Sequence, residues 1–260
     1  MNQTQTNTVL NSSSDTIFSE PVIEISNLRK SFGKQEVLTD VTLSLFNGEN
    51  LVVVGKSGTG KSVLIKCIVG LLISDGGTIN VFKKNLAELT RREFGDMRQK
   101  IGFLFQSGAL YDSMTVKQNL EFPLRRIRKN LNENEIKEKV NEVLENVGLT
   151  EALNKMPSQL SGGMRKRISL ARSIIVDPMI MLYDEPTTGL DPVTSDEISL
   201  LINDVQKKYK TSSIIITHDI KCALKTGDRI IMLKDGAVYK EGKVRDFEDS
   251  ADPTIKSFFT

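Results

Sequence analysis

The run Gly55-Lys56-Ser57-Gly58-Thr59-Gly60-Lys61-Ser62 restricts the fold of this chain more than any other stretch. It follows Leu51-Val52-Val53-Val54, an apolar run suited to a buried strand. It precedes Val63-Leu64-Ile65-Lys66-Cys67-Ile68, whose spacing suits a buried helix. Strand, glycine-rich turn, Lys-Ser and helix together give a G-x-x-x-x-G-K-S match its meaning as a phosphate site. Gly55, Gly58 and Gly60 let the backbone turn tightly, so that successive N–H groups, that of Ser57 among them, converge on a phosphate chain. A helix that begins near Gly60 adds its positive dipole end at the same point. Lys61 supplies a mobile charge for the outer phosphates, and Ser62 a hydroxyl for magnesium.

The 260 residues suffice for one large α/β domain, or for a domain with an inserted lobe. Hydrophobic residues at 39% and charged residues at 26% fit a folded soluble protein. The net charge of +2, from 35 basic and 33 acidic side chains, argues against a protein built to neutralise nucleic acid. Cys67 and Cys222 lie far apart and form no C-x-x-C pattern. That speaks against a disulfide scaffold or a zinc site, and for a reducing compartment. The longest apolar stretches, such as Ile68–Ile73, fall far short of the roughly 20 residues that span a bilayer. The first residues are Asn, Thr, Gln and Ser with no basic start and no apolar core, which reads as a disordered polar leader over 1–20 rather than a secretory signal. The expectation is a cytosolic protein whose membrane role, if any, runs through a partner.

Strands are expected at Pro21–Leu28, Val37–Phe46, Leu51–Val54, Thr78–Val81 and Ile101–Phe105, the last ending at Gln106. From Tyr111 to about Val176 the pattern turns helical. Ile136, Val140, Val143, Leu144 and Val147 keep one face apolar, and Gly148 is a natural stop. A further helix starts at Ser161 and carries Ile168, Leu170, Ala171 and Ile175. This stretch lies between strand-rich regions and reads as an inserted helical lobe. Buried strands follow at Met179–Tyr183 and Ser213–Thr217, with a helix after Pro192 between them. Strands at Arg229–Leu233 and Ala237–Glu241 flank Asp235-Gly236, a hairpin turn signal. Buried strands alternating with helices point to a largely parallel sheet covered on both faces.

Two further features carry chemistry. Leu182-Tyr183-Asp184-Glu185 ends a buried strand with two carboxylates, where open α/β sheets place their phosphate sites. Asp184 is placed to hold magnesium, directly or through water, and Glu185 to orient or deprotonate a water aimed at the terminal phosphate. Without a phosphate loop beside them, the pair would read as a helix cap or a solvated loop. Leu160-Ser161-Gly162-Gly163-Met164-Arg165 forms a second anion-binding helix start, more than a single nucleotide needs.

This set of motifs resembles the ABC ATPases over nearly all of Val22 to about Gly242. Met164 stands where that family usually has Gln; the Ser and Gly positions that touch phosphate are kept. The resemblance implies an α/β nucleotide-binding domain over 21–245, with a P-loop core sheet, an antiparallel β subdomain, and a helical subdomain over about 108–176. A short C-terminal extension would occupy 246–260. It implies that Phe32 stacks on adenine, against plain core or turn packing of a Phe. Gln106 would report on magnesium and the attacking water, and His218, the only histidine, would contact the terminal phosphate. A lone histidine is commonly a structural group; this one follows a buried strand, where the sheet delivers its site residues. Leu190-Asp191 would cross the interface of a head-to-tail homodimer. In that dimer ATP and magnesium lie between the phosphate loop of one copy and Ser161, Gly162 and Gly163 of the other.

A narrower likeness lies in Phe105–Val116, Asn119-Leu120, Phe122-Pro123-Leu124, Met164, Tyr183–Pro192 and the tail Ser250–Pro253 with Phe258-Phe259. These resemble the ATPases of Mla-type systems, which serve MCE proteins and move phospholipid between bacterial membranes. The implied partners are a second copy, an integral membrane permease, an MCE-type lipid-binding protein and a small regulatory subunit, with no nucleic acid. The implied location is the cytoplasmic face of the inner membrane, held there by the permease. Ala109, Leu110, Tyr111 and Met114 would meet the permease, or belong to the core of the lobe. Arg125–Lys129 reads first as a solvated helix face and second as a contact for anionic headgroups. An ABC ATPase for another solute, or a soluble one in cofactor assembly, stays open at this point.

Overall fold

The structure is a computed structural model that describes residues 21–259. The expected leader over 1–20 lies outside the described residues.

Among the described residues two long strands come first, β1 (Pro21–Phe32) and β2 (Gln35–Phe46), followed by β3 (Asn50–Val54) and helix α1 (Lys61–Ile68). Next come β4 (Gly76–Val81), β5 (Lys84–Asn85), α2 (Arg91–Arg98) and β6 (Ile101–Leu104). The helical stretch holds α3 (Val116–Ile127), α4 (Glu133–Asn146) and α5 (Gly162–Ile174). The chain returns to the sheet with β7 (Ile180–Asp184), α6 (Pro192–Tyr209), β8 (Ser212–Ile216), α7 (Ile220–Thr226), β9 (Arg229–Lys234) and β10 (Ala237–Lys243). It ends in α8 (Val244–Glu248) and α9 (Pro253–Phe259).

The strands join in the order β5-β4-β1-β2-β10-β9-β3-β8-β7-β6. From β9 to β6 the neighbours run parallel. The β5-β4-β1-β2 end is antiparallel, and Asp235-Gly236 turns β9 into β10 with both residues at positive φ. The largely parallel sheet expected from strand–helix alternation is therefore one half of a mixed sheet. Its antiparallel half matches the subdomain that the family resemblance implies.

The parallel strands read as continuous apolar runs because both their faces are covered. Leu51 and Val53 of β3 pack with Leu64, Ile65 and Ile68 of α1 on one face. Val52 and Val54 point the other way, into a core shared with α3, α4, α5 and α6. Alternate residues of β7 and β8 divide between the same two cores. Cys67 is buried in the α1 core, as its place on the apolar side of that helix predicts.

Three helices announce their starts. Thr90 with Glu93, Thr115 with Gln118 and Asn132 with Glu135 each form reciprocal capping boxes on α2, α3 and α4. Two cations of the basic run at the end of α3 have partners within the chain. Arg125 pairs with Glu121 and Glu133, and Arg128 donates to the Val176 carbonyl at 2.8 Å. At the C-terminal end Phe247 of α8 is buried, its ring 5.6 Å from that of Phe259. Phe258 and Phe259 of α9 pack against the core shared by the helical stretch.

Candidate active site

The carboxyl ends of β3 and β7 lie two strands apart in the parallel sheet, with β8 between them. This arrangement brings the Gly55–Ser62 loop and the Asp184-Glu185 pair to one rim. Gly60 caps α1 at φ +95°. A Cβ there would lie 2.5 Å from Leu38 Cδ2 and 2.8 Å from the Val37 carbonyl oxygen, so the turn needs glycine both for its conformation and for its space. Lys61 opens the helix and folds back beneath the loop. Its Nζ donates to the carbonyl oxygens of Gly55 at 2.7 Å and Lys56 at 3.1 Å. Burial pushes the Lys61 pKa down, while the nearby Glu185 and Asp184 act in the opposite direction.

Ser62 Oγ donates to Asp184 Oδ1 at 2.8 Å. These hard oxygen donors suit magnesium. Among the described residues no group of three or more His, Cys, Asp or Glu side chains could hold a metal. An ion at Ser62 and Asp184 would therefore take its remaining ligands from water and phosphate, as magnesium commonly does.

Glu185 follows the end of β7 at φ +52°, in the left-handed region where a side chain costs about 1–3 kcal/mol of strain. The surroundings impose that conformation. Its N–H donates to the Ile216 carbonyl at 2.9 Å. Its Oε2 accepts from Thr188 Oγ1 at 3.0 Å and lies 2.7 Å from His218 Nδ1. A carboxylate accepts, so this contact places the imidazole proton on Nδ1 and leaves Nε2 facing outward. A cleft of about 510 Å³ is lined by Ser57, Lys61, Ser62, Gln106, Glu185 and His218, among others. Glu185 thus stands beside the phosphate loop with a histidine at hand, which is the placement required of a group that activates a water.

The other expected residues are placed elsewhere. Ser161 caps α5 by accepting from the Met164 N–H at 3.2 Å, and neither it nor Gly162 or Gly163 lines the cleft. Ser161 and Gly162 are exposed. Gly163 packs against α6 so closely that a Cβ would lie 2.5 Å from Thr194 Cγ2. The Ser161–Gly163 turn therefore shares a surface with the Leu190-Asp191 loop. Asp191 caps α6, accepting from the Val193 and Thr194 N–H groups and, at 2.6 Å, from Thr194 Oγ1. Phe32 ends β1 next to the Gly33-Lys34 turn, outside the cleft lining, and is 47% exposed, so it is not a core residue; packing at the turn stays open beside the adenine role.

One buried cation next to the cleft escapes the motif reading. Lys166, on α5, is buried, and its Nζ donates to the Gln106 carbonyl at 2.8 Å and lies 3.4 Å from the Glu185 carbonyl. Nothing in Arg165-Lys166-Arg167 marks which of the three cations turns inward.

A phosphate loop at a strand end, a carboxylate pair across one strand and a nearby histidine define a nucleoside-triphosphate hydrolase of the P-loop class. The ABC transporter family model matches residues 38–188. A chloroplast protein of Arabidopsis thaliana, TRIGALACTOSYLDIACYLGLYCEROL 3, is 38% identical over 259 residues, covering 93% of this chain and 74% of its own length. The probable ribonucleotide transport ATP-binding protein mkl of Mycobacterium leprae is 40% identical over 236 residues, covering 91% of this chain and 68% of that one. The solved ATP-binding cassette MJ0796, in a dimeric post-hydrolysis state bound to ADP and Pi, superposes with a TM-score of 0.78 at 33% identity, covering 86% of this chain and 99% of that one. The chain belongs to the ABC transporter family: it is an ATP-binding subunit that couples ATP hydrolysis to transport.

Proposed function

We propose that the chain powers phospholipid transport between bacterial membranes of the Mla type, as one half of a head-to-tail ATPase dimer. The split of the site supports the dimer. Lys61, Ser62, Gln106, Glu185 and His218 gather at one cleft, while the exposed Ser161-Gly162 turn stands apart from it. A second anion-binding helix start with no phosphate loop of its own beside it suits the loop of another copy. ATP and magnesium then sit between the two. Lys61 and the loop N–H groups hold the phosphates, Ser62 and Asp184 the ion, and Glu185 the attacking water. His218 and Gln106 attend the terminal phosphate, and Phe32 stacks on adenine. Donors brought by the partner complete the charge-stabilising shell only on closure, so closure gates hydrolysis.

The lipid reading rests on the Phe105–Leu124 and Met164 likeness, together with a relative named for a galactolipid. No helix of the described residues is long and apolar enough to cross a membrane; in the proposed complex a permease provides the membrane path. An MCE-type lipid-binding protein and a small regulatory subunit complete the proposed complex, on the cytoplasmic face of the inner membrane. The mkl relative favours a second reading, transport of another solute by the same machinery.

Two measurements test the two levels. The Glu185→Gln variant should bind ATP and accumulate as a dimer on gel filtration with ATP; a chain that stays monomeric with ATP overturns the dimeric site. Purification of the tagged chain from membranes should recover a permease, an MCE-type protein and phospholipid. Recovery with a soluble solute receptor and no lipid overturns the substrate.

A further inference from the structure

Three cations follow one another on α5, and their partners differ. Arg165 Nη1 donates to the Leu160 carbonyl at 2.7 Å, within the same turn. Arg167 pairs with Glu197 at 2.6 Å on the outside of α6. Lys166 turns inward and is only 6% exposed. Its two acceptors are the backbone oxygens of the two residues expected to handle water and magnesium, Gln106 and Glu185. Burial lowers the Lys166 pKa, opposed by Asp184 and Glu185, which places the ammonium within the field of the site carboxylates.

A buried ammonium with backbone acceptors is a costly way to tether a helix, since an apolar residue of similar length would fill the same volume without desolvating a charge. The contact gains its sense from where the two ends lead. At one end is the helix whose first turn carries Ser161 and Gly162 on the exposed side of the molecule. At the other are the Gln106 segment after β6 and the left-handed Glu185.

We propose that Lys166 is a positioning residue that couples the Ser161–Gly163 helix to the catalytic centre of its own chain, so that nucleotide engaged by that helix sets the placement of Gln106 and Glu185. The inference rests on the proposed roles of those two residues and of the dimer. When α5 meets the partner's ATP, Lys166 carries its displacement to the Gln106 and Glu185 backbones. Each site is then ready for hydrolysis only while the opposite one is filled. Small misplacements suffice, because moving a reacting group by about 1 Å costs on the order of 10²-fold in rate.

The test compares the full chain with Lys166→Met, which keeps the length and removes the donor, and Lys166→Gln, which keeps a neutral donor. ATP affinity, ATP turnover and the Hill coefficient of turnover are measured for each. Lys166→Met should bind ATP within about threefold of the parent, because the phosphate loop is untouched, and lose about 10²-fold in kcat. Its Hill coefficient should fall to 1, and Lys166→Gln should recover most of both losses. Turnover and cooperativity of Lys166→Met close to the parent overturn the proposal. If Lys166→Met does not fold, Lys166→Ala replaces it; loss of fold in both shows a core tether and also overturns it. Glu185→Gln is run in parallel. Parental turnover in that variant means that the site assignment beneath the proposal has failed, rather than the coupling through Lys166.

Discussion

Replacing Lys61 by Met separates what this side chain does for ATP from what it does for the fold. Lys61 Nζ donates to two loop carbonyls, those of Gly55 and Lys56. Burial depresses the Lys61 pKa, so the charged form is disfavoured in the folded chain relative to the unfolded one. The sign follows from linkage. Burial penalises the charged form, so the ammonium costs stability at every pH below the depressed folded value. As pH rises from the folded value towards the ordinary 10.5, the folded state gives up its proton first and the cost disappears. Lys61→Met should therefore unfold at the same temperature as the parent or higher at pH 7, with any advantage shrinking as pH approaches 10.5. With nucleotide the order reverses. A charge-assisted contact to phosphate contributes about 1.5–3 kcal/mol, so the variant should bind ATP roughly 10–150-fold more weakly. A ligand at 100 times its Kd stabilises by about 2.7 kcal/mol, and at a Kd 100-fold weaker by only about 0.4 kcal/mol. For a chain of this size that is a rise in Tm of about 5–10 °C for the parent and about 1 °C for the variant. Thermal unfolding with and without a non-hydrolysable ATP analogue and magnesium reads both effects. An analogue that raises the variant's Tm as far as the parent's refutes the phosphate role. A nucleotide-free variant that melts many degrees lower at pH 7 refutes the account of the buried charge.

Phe32→Ala should leave Tm nearly unchanged, since the ring is half exposed, and raise the KM for ATP by about 5–150-fold with kcat retained, as expected for a lost stacking surface of about 1–3 kcal/mol. An unchanged KM removes Phe32 from the adenine site. Ser161→Arg should leave nucleotide affinity of the isolated chain intact, abolish the ATP-dependent dimer, and lower turnover by at least about 10²-fold. Parental turnover in that variant shows that the Ser161 turn serves no phosphate.

The sequence predicts the central sheet well for a physical reason. β3, β7 and β8 are buried on both faces, so their signal is an unbroken apolar run that no surface requirement interrupts. β1 is harder: its pairing with β2 shifts register between Ile25 and Leu28 and again before Lys30, and the alternation fades before the strand ends at Phe32. α2 buries only Met97, so it has almost no apolar stripe, and its one legible mark is the Thr90–Glu93 cap. The phosphate loop and the strand-end carboxylates are legible because their chemistry demands fixed residue types at fixed spacing. The strained backbone of Glu185 and the inward turn of Lys166 are set by contacts with β8 and with the Gln106 segment. Neither leaves a mark in local sequence.

The division of the site has an energetic consequence for the proposed dimer. A helix start facing water contributes about 0.3–1 kcal/mol to an anion, because solvent screens it. The same donors aimed at developing charge in a site closed to water contribute about 2.7–4 kcal/mol, or 10²–10³ in rate. Ser161 and Gly162 are exposed in the single chain, and the Asp191 carboxylate is occupied in capping α6. In the proposed dimer their catalytic contribution is therefore latent until the second copy covers them. The cleft by contrast holds Lys61, Ser62, Glu185 and His218 through contacts within the one chain. With the proposed site, a single chain is expected to bind nucleotide through its own loop and to hydrolyse it slowly. On that reading its rate is governed by closure of the dimer, which ATP promotes and the proposed membrane partner modulates.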